Sequence, residues 1–239
     1  SNALAQVAVQ SGIGGIDLGF QRAGWEIAWQ VERDPFRSAI LARHFPQVRR
    51  YGDLLYLCPA VLDPVDCITL DCPTHEYREA HPLWAAAREI VRTLSPALVL
   101  VCLPIAVRTR DEGADWRTLT DSLRSLGFAM GDFQVSLELR SDFRWERHFA
   151  VGHRAPLPAG LETCLGQRMH LSDGSDGPPG LRYGVVRSGA IAQGEREYGF
   201  PVGWTGAEGT LEQRVGAIVD AVPVEAAAWI GRRLKGEAA

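Results

Sequence analysis

The stretch AVQSGIGGIDLGFQRAGWEIAWQVERDPF, from Ala8 to Phe36, decides the fold. The apolar run Leu4 to Val9 reads as a buried strand that ends in a glycine turn. Gly15 to Arg22 then has the pattern of a helix, closed by Gly24. Trp25 to Val31 reads as a second strand ending at Glu32. Asp34 is placed to cap a helix with Pro35 at its first position, running through Ala39, Ile40 and Ala42 to His44. Strand, helix, strand, helix in this order predicts a parallel sheet covered by helices.

The alternation continues outward. Val65 to Leu70 and Ala97 to Leu103 read as strands, the second the most apolar run in the chain. Helices are expected at Leu83 to Leu94, with Trp84, Ala87, Ile90 and Val91 on one face, and at Trp116 to Leu126. Phe133 to Leu139 and His148 to Val151 read as later strands, and Pro223 opens a final helix through Trp229 to Leu234. Between these, residues 155–194 are rich in Gly, Pro, Ser and Asp, as in DGSDGPPG at Asp173 to Gly180, and read as a loop-rich insertion.

Composition fits a globular α/β chain: 239 residues, 46% hydrophobic, 23% charged. Ser1-Asn2-Ala3 resembles an expression-tag remnant and is left out of the fold reading. The five cysteines have no framework spacing, which favours reduced thiols and a cytoplasmic setting. Net charge is −4, which argues against tight, unaided binding to a duplex. Lys235 is the single lysine among 25 basic residues, a bias that reflects coding composition more than function. No apolar run is long enough to span a bilayer, so no membrane partner is expected.

A glycine turn between a strand and a helix lets backbone approach a ligand, because glycine lacks Cβ and tolerates positive φ. The helix start adds free amides. Glu32, at the end of the second strand, is placed to accept both hydroxyls of a ribose. Asp53, in YGDLL, is placed to accept from an adenine amino group. The bland alternative is a tight turn with no ligand, and the loop does not match GxGxxG spacing.

SGIGGIDLGFQRAG, QVERDP and YGD resemble the first three motifs of the cytosine-5 DNA methyltransferases. YGFPVGW and AIVDAV resemble stretches near that family's C-terminus, with Val219 and Asp220 in place of Gly-Asn. The likeness covers 4–154 and 195–235. It implies a Rossmann-like fold that uses S-adenosylmethionine (SAM), with a mostly parallel sheet, helices on both faces and a small loop-rich insertion. It also implies that Ser11, Gly12, Gly14 and Gly15 line the methionine end, that Glu32 takes the ribose and Asp53 the adenine, and that Asp220 belongs to the same site. Gln10 stands where the family has a phenylalanine on the adenine.

The catalytic middle departs from the family. In DCITLDCPTHEYREAH, Pro73 matches the family proline, so Thr74 occupies the slot of the nucleophilic cysteine. A hydroxyl ionises far less readily than a thiol and is a poor partner for addition to C6 of a flipped cytosine. The family glutamate that holds N3 falls on Cys102, and of the later Gln-x-Arg-x-Arg motif only Arg147 is matched, with Trp145 in an arginine slot. Trp145 either fills the base pocket or covers a partner site. Residues 155–194 are too short for a full target-recognition domain. Arg168, Arg182 and Arg187 could touch phosphate, but surface arginines are more often simply solvated.

Cys72, one residue before the proline, is in the wrong place to substitute as nucleophile and reads as a small buried hydrophobe. Cys67, Cys72, His75 and His81 do not have finger spacing, and no metal is expected.

These residues lead to a SAM-binding relative that has lost cytosine methylation and acts as a regulatory or accessory pseudoenzyme. Its partner would be an active methyltransferase, or DNA bound weakly. The alternatives are an active SAM-dependent transferase without a cysteine nucleophile, using His75, His81 or Glu76 as base, and an interaction module with a vestigial cofactor site.

Overall fold

The computed structural model describes residues 5–71, 81–139, 143–172 and 188–236. The first strand, β1 (Ala5–Val9), leads through the glycine turn into α1 (Gly15–Arg22). Then come β2 (Glu26–Val31), α2 (Pro35–His44) and the short β3 (Arg49–Tyr51). α2 starts where the sequence predicts: the Asp34 side chain accepts from the Arg37 amide and Pro35 follows it. Next are β4 (Cys67–Asp71), α3 (Pro82–Leu94), β5 (Leu98–Leu103), α4 (Ala114–Arg124), β6 (Ala129–Leu139) and β7 (Phe143–His153). The chain continues through α5 (Ala159–Glu162), β8 (Arg168–Ser172), α6 (Ser188–Glu197), α7 (Leu211–Asp220) and α8 (Val224–Leu234).

These strands form one sheet in the order β3-β2-β1-β4-β5-β7-β6-β8. The five strands from β3 to β5 run parallel, β7 is antiparallel to both β5 and β6, and β8 runs parallel to β6. Helices cover both faces. Ile16 and Phe20 of α1, Ile40 and Leu41 of α2, and Ala226, Ala227 and Ile230 of α8 pack into one apolar cluster. Trp84, Ala87 and Ile90 of α3, with Leu119 and Leu123 of α4, pack into the other. β1, β4 and β5 sit in the middle of the sheet, covered on both sides. That is why β5 (LVLVCL) is apolar almost throughout instead of alternating.

The interval read as a loop-rich insertion contributes more than loops. β8 pairs with β6 from Gln134–Arg168 to Glu138–Ser172 and adds a strand to the sheet. Its RMHLS sequence carries little strand signal in isolation; the exposed edge of β6 supplies the pairing. α6 begins inside the same interval and α7 follows it. α7 carries a capping box, Thr210 with Gln213, which the sequence reading passed over.

Candidate functional site

At the C-terminal ends of the central strands lies a cavity of about 500 Å³. Its walls come from the β1–α1 turn (Gln10, Ser11, Gly12, Gly15), the end of β2 and start of α2 (Glu32, Arg33, Asp34, Arg37), and the end of α7 (Asp220 to Val222). They also come from Asp71 of β4, Cys102 to Pro104 at the end of β5, and Arg147 of β7. The site is therefore spread across the sheet. From β2 to β7 is four strand spacings, roughly 19 Å. One side of the cavity is the glycine turn with Glu32; the other is the Asp71, Cys102 and Arg147 group.

The turn is built by φ and by packing. Gly12 (φ +58°) has open space where a Cβ would sit, so its bare Cα faces unfilled volume. Gly14 (φ +88°) is packed against Leu41 and Phe45 instead. At Gly15 a Cβ would collide with the Val222 carbonyl, so the last quarter of the chain sits directly on the turn. Gly14 is thus part of the packing behind the turn, while Ser11, Gly12 and Gly15 line the cavity. Gln10, in the left-handed region at φ +60°, also lines it.

Glu32 is 8% exposed, and each carboxylate oxygen accepts a backbone N–H: Gly12 at 2.8 Å and Asp34 at 2.8 Å. It ties the glycine turn to the start of α2. Burial raises its pKa, against the two amide bonds that lower it. Across the mouth, Arg37 reaches Asp220 at 2.5 Å. Asp53 is placed differently. It caps a short 3₁₀ turn, Leu54–Tyr56, accepts from the Leu55 amide at 2.9 Å, and does not line the cavity.

At the other side, Asp71 pairs in register with Cys102 on the neighbouring strand. Burial pushes its pKa up to about 6, opposed by the Arg147 charge and by a hydrogen bond from the Cys102 thiol. Asp220 pushes the same way as burial, and Arg37 opposes it. Arg147 lies 5.4 Å over the Trp145 ring and donates to the Glu146 carbonyl at 2.9 Å. Trp145 itself is 1% exposed, packed beside Phe149, and lines no part of the cavity. It supports Arg147 from beneath, neither filling the cavity nor covering an outer face.

Asp71 is the residue the sequence reading missed. Its signal in the sequence is a charged residue closing the apolar strand CITLD, just before Pro73 and Thr74. Thr74, Cys72, His75 and Glu76 lie outside the described residues. His81 caps α3, its Nδ1 accepting from the Leu83 amide at 3.3 Å. Arg168 donates to Gln134 at 2.9 Å; Arg182 and Arg187 are outside the described residues. Among the described residues no group of three or more His, Cys, Asp and Glu side chains is arranged to hold a metal. No helix among them is long and apolar enough to cross a membrane.

No family model matches the sequence. The type II methyltransferase M.NgoBI of Neisseria gonorrhoeae is 25% identical over 175 residues, 68% of this chain and 55% of that protein. The chain thus spans about half the length of this curated relative. In fold it is similar to a Spodoptera frugiperda DNMT2 variant, with a TM-score of 0.72 and 12% identity over 98% of this chain and 100% of that one. It is also similar to a protein described as a DNA modification methyltransferase from an E. coli prophage, with a TM-score of 0.70 and 15% identity over 98% and 99% of the two chains. The fold is the Rossmann-like methyltransferase fold. The motifs resemble those of the cytosine-5 DNA methyltransferases, and the fold is similar to that of the DNMT2 structure.

Proposed function

We propose that the cavity holds S-adenosylmethionine and that the chain does not methylate cytosine through a cysteine adduct. The carrying observation is the Glu32–Gly12 unit. A carboxylate fixed by two amides stands beside a glycine whose open side faces the cavity. A volume of about 500 Å³ suits a ligand of this size. Ser11, Gly12 and Gly15 would take the methionine end, and Glu32, with the free lone pairs of its two oxygens, the ribose. When bound, the cofactor would supply an electrophilic methyl group. Cys102 is no substitute nucleophile: it is 2% exposed and its thiol is engaged in a hydrogen bond to Asp71.

On this reading the chain is an accessory relative of active methyltransferases, a cofactor-holding scaffold without the cytosine chemistry. Calorimetric titration with SAM tests the first half. The wild type gives a saturable heat and Glu32→Ala loses it; no heat from the wild type overturns the assignment. Labelled methyl recovered at C5 of cytosine after incubation with mixed-sequence DNA overturns the second half.

One observation favours an active transferase on another acceptor. Asp71 places a carboxyl group on the wall opposite the glycine turn, where a proton must be received if a nucleophile other than a cysteine adduct takes the methyl group.

A further inference from the structure

Asp71 and Arg147 line one cavity wall and act on one another electrostatically, with opposite hydrogen-bonding character. An ionised carboxylate only accepts; a guanidinium only donates. A ligand edge that satisfies both places a donor beside an acceptor, and an exocyclic amine beside an unprotonated ring nitrogen is such an edge whose donor can also take a methyl group. Adenine (N6 and N1) and cytosine (N4 and N3) have such an edge. On its pairing edge guanine sets its amine beside a second donor, N1–H, with its N3 crowded by the sugar, and thymine has no amine to methylate. The backing of the pair is also specific. Cys102 holds the Asp71 carboxyl from the neighbouring strand, and Trp145 supports the Arg147 guanidinium. Leu103, fully buried, and Pro104 complete an apolar flank of the kind that accepts a flat ring.

We propose that Asp71 binds the exocyclic amine of an adenine or cytosine base and receives its proton as that nitrogen is methylated, with Arg147 holding the adjacent ring nitrogen. The proposal rests on the cavity holding a sulfonium methyl donor, as inferred above, and takes the active-transferase reading in place of the accessory one. In the step, the amine nitrogen forms the new N–C bond and the donor's S–C bond breaks. The sulfonium electrons return to sulfur as a neutral thioether, and the proton released by the alkylated nitrogen passes to the Asp71 carboxylate. No enzyme–base covalent bond is needed, so no enzyme thiolate is needed. With its pKa near 6, Asp71 is ionised at neutral pH and still basic enough to take the proton. The groups that tune it are Cys102 on the neighbouring β5, Arg147 on β7 beyond it, Arg37 on α2 and Asp220 on α7.

The test uses the full chain and single-stranded oligonucleotides of thymine interspersed with only adenine, only cytosine or only guanine, beside an all-thymine control. Labelled SAM is the donor, and product nucleosides are separated after digestion. Methyl is expected on the exocyclic nitrogen of adenine or cytosine and on neither guanine nor thymine. Asp71→Asn, which keeps shape but cannot take a proton, is expected to lower kcat about 100-fold with KM little changed. It is also expected to lose the rise of rate through pH 6, and Asp71→Glu to regain part of the rate. A readout without turnover is the anisotropy of labelled oligonucleotide with S-adenosylhomocysteine present. The adenine or cytosine strand binds more tightly than all-thymine, and Arg147→Ala abolishes that preference.

SAM calorimetry on each variant keeps folding and cofactor binding in view. Heat retained by Asp71→Asn shows the fold and cofactor site intact. Normal SAM heat with no methylated amine in any strand overturns this proposal and leaves the cofactor assignment standing. So does methyl at C5, or an Asp71→Asn rate equal to wild type. Absence of SAM heat in the wild type overturns both.

Discussion

A carboxylate that already accepts two backbone amides has little freedom to turn, and Glu32 is such a group. Glu32→Ala therefore removes more than the proposed ligand contact. It leaves the Gly12 and Asp34 amides without their acceptor, at about 1–3 kcal/mol for each that water does not reach. A fall in melting temperature beside the lost SAM heat is expected, and Glu32→Gln, which can still accept one amide, falls less. Asp17, in the first turn of α1, differs. It is fully buried and faces the equally buried Gln30 amide without a well-formed hydrogen bond. Burial pushes its pKa up to about 7 from 3.8. Below about pH 4 it is neutral in both folded and unfolded chains and its favourable share is fully present. As pH rises toward 7 the unfolded chain ionises freely and the folded chain does not, so that share is lost. Asp17→Asn removes this dependence. The stability gap between variant and wild type, from urea unfolding, should widen from pH 4 to 7 by roughly 4 kcal/mol at most and then level off. Stability curves that stay parallel across that range would refute it.

Among the elements, α8 lies on α1 so closely that Gly19 has no room for a methyl group; a Cβ there would strike the Ala227 side chain and the Ala228 amide. Alanine is the better helix former by about 1 kcal/mol. Yet Gly19→Ala should lower stability by about 1–3 kcal/mol, because the obstacle includes backbone that cannot swing aside. Equilibrium unfolding decides between the two signs. α6 makes a second tie through Glu195, 1% exposed, which accepts from the Gly203 and Thr205 amides and the Thr205 hydroxyl. That turn presents Trp204, whose indole donates to the Ile13 carbonyl at 2.8 Å and stacks on His44 at 3.5 Å. Glu195→Ala should therefore cost about 2–5 kcal/mol and weaken SAM binding, since the glycine turn loses its outer support. A variant as stable as wild type would show that the turn holds without it.

At the scale of the whole molecule, the parts legible in the sequence are those whose causes are local. The glycine turn, the Asp34–Pro35 start of α2, the central apolar β5 and the helical face of α3 each carry their signal within a few residues. Position in the sheet carries no such signal. Nothing in CITLD says that Asp71 will face Arg147, because two further strands must first be laid beside it. Nothing in YGDLL says that Asp53 will turn to cap its own segment. β8 is illegible for the same reason: the neighbour, not the sequence, makes it a strand. The fold class follows from the order of elements, but the chemistry of the cavity depends on which strand ends meet. Asp220→Asn tests that meeting at long range. Removing one negative charge should lower the pKa of Asp71, read as a displacement of its carboxyl titration by NMR, while the exposed Arg37–Asp220 pair contributes under about 1 kcal/mol of stability.

The first helix and the last are sewn together. The Trp25 indole donates to the Gly231 carbonyl, Lys235 to the Gly24 carbonyl, and Val222 closes over Gly15. During synthesis the glycine turn therefore leaves the ribosome long before the segment that walls it in. Until α7 and α8 have been made, the nascent chain carries Phe20 and Ile16 uncovered and a cavity with one side missing. Any ligand of this cavity is therefore held only once α8 is in place, and a message cut short before α8 should yield a client for chaperones and proteases, not a weakened binder.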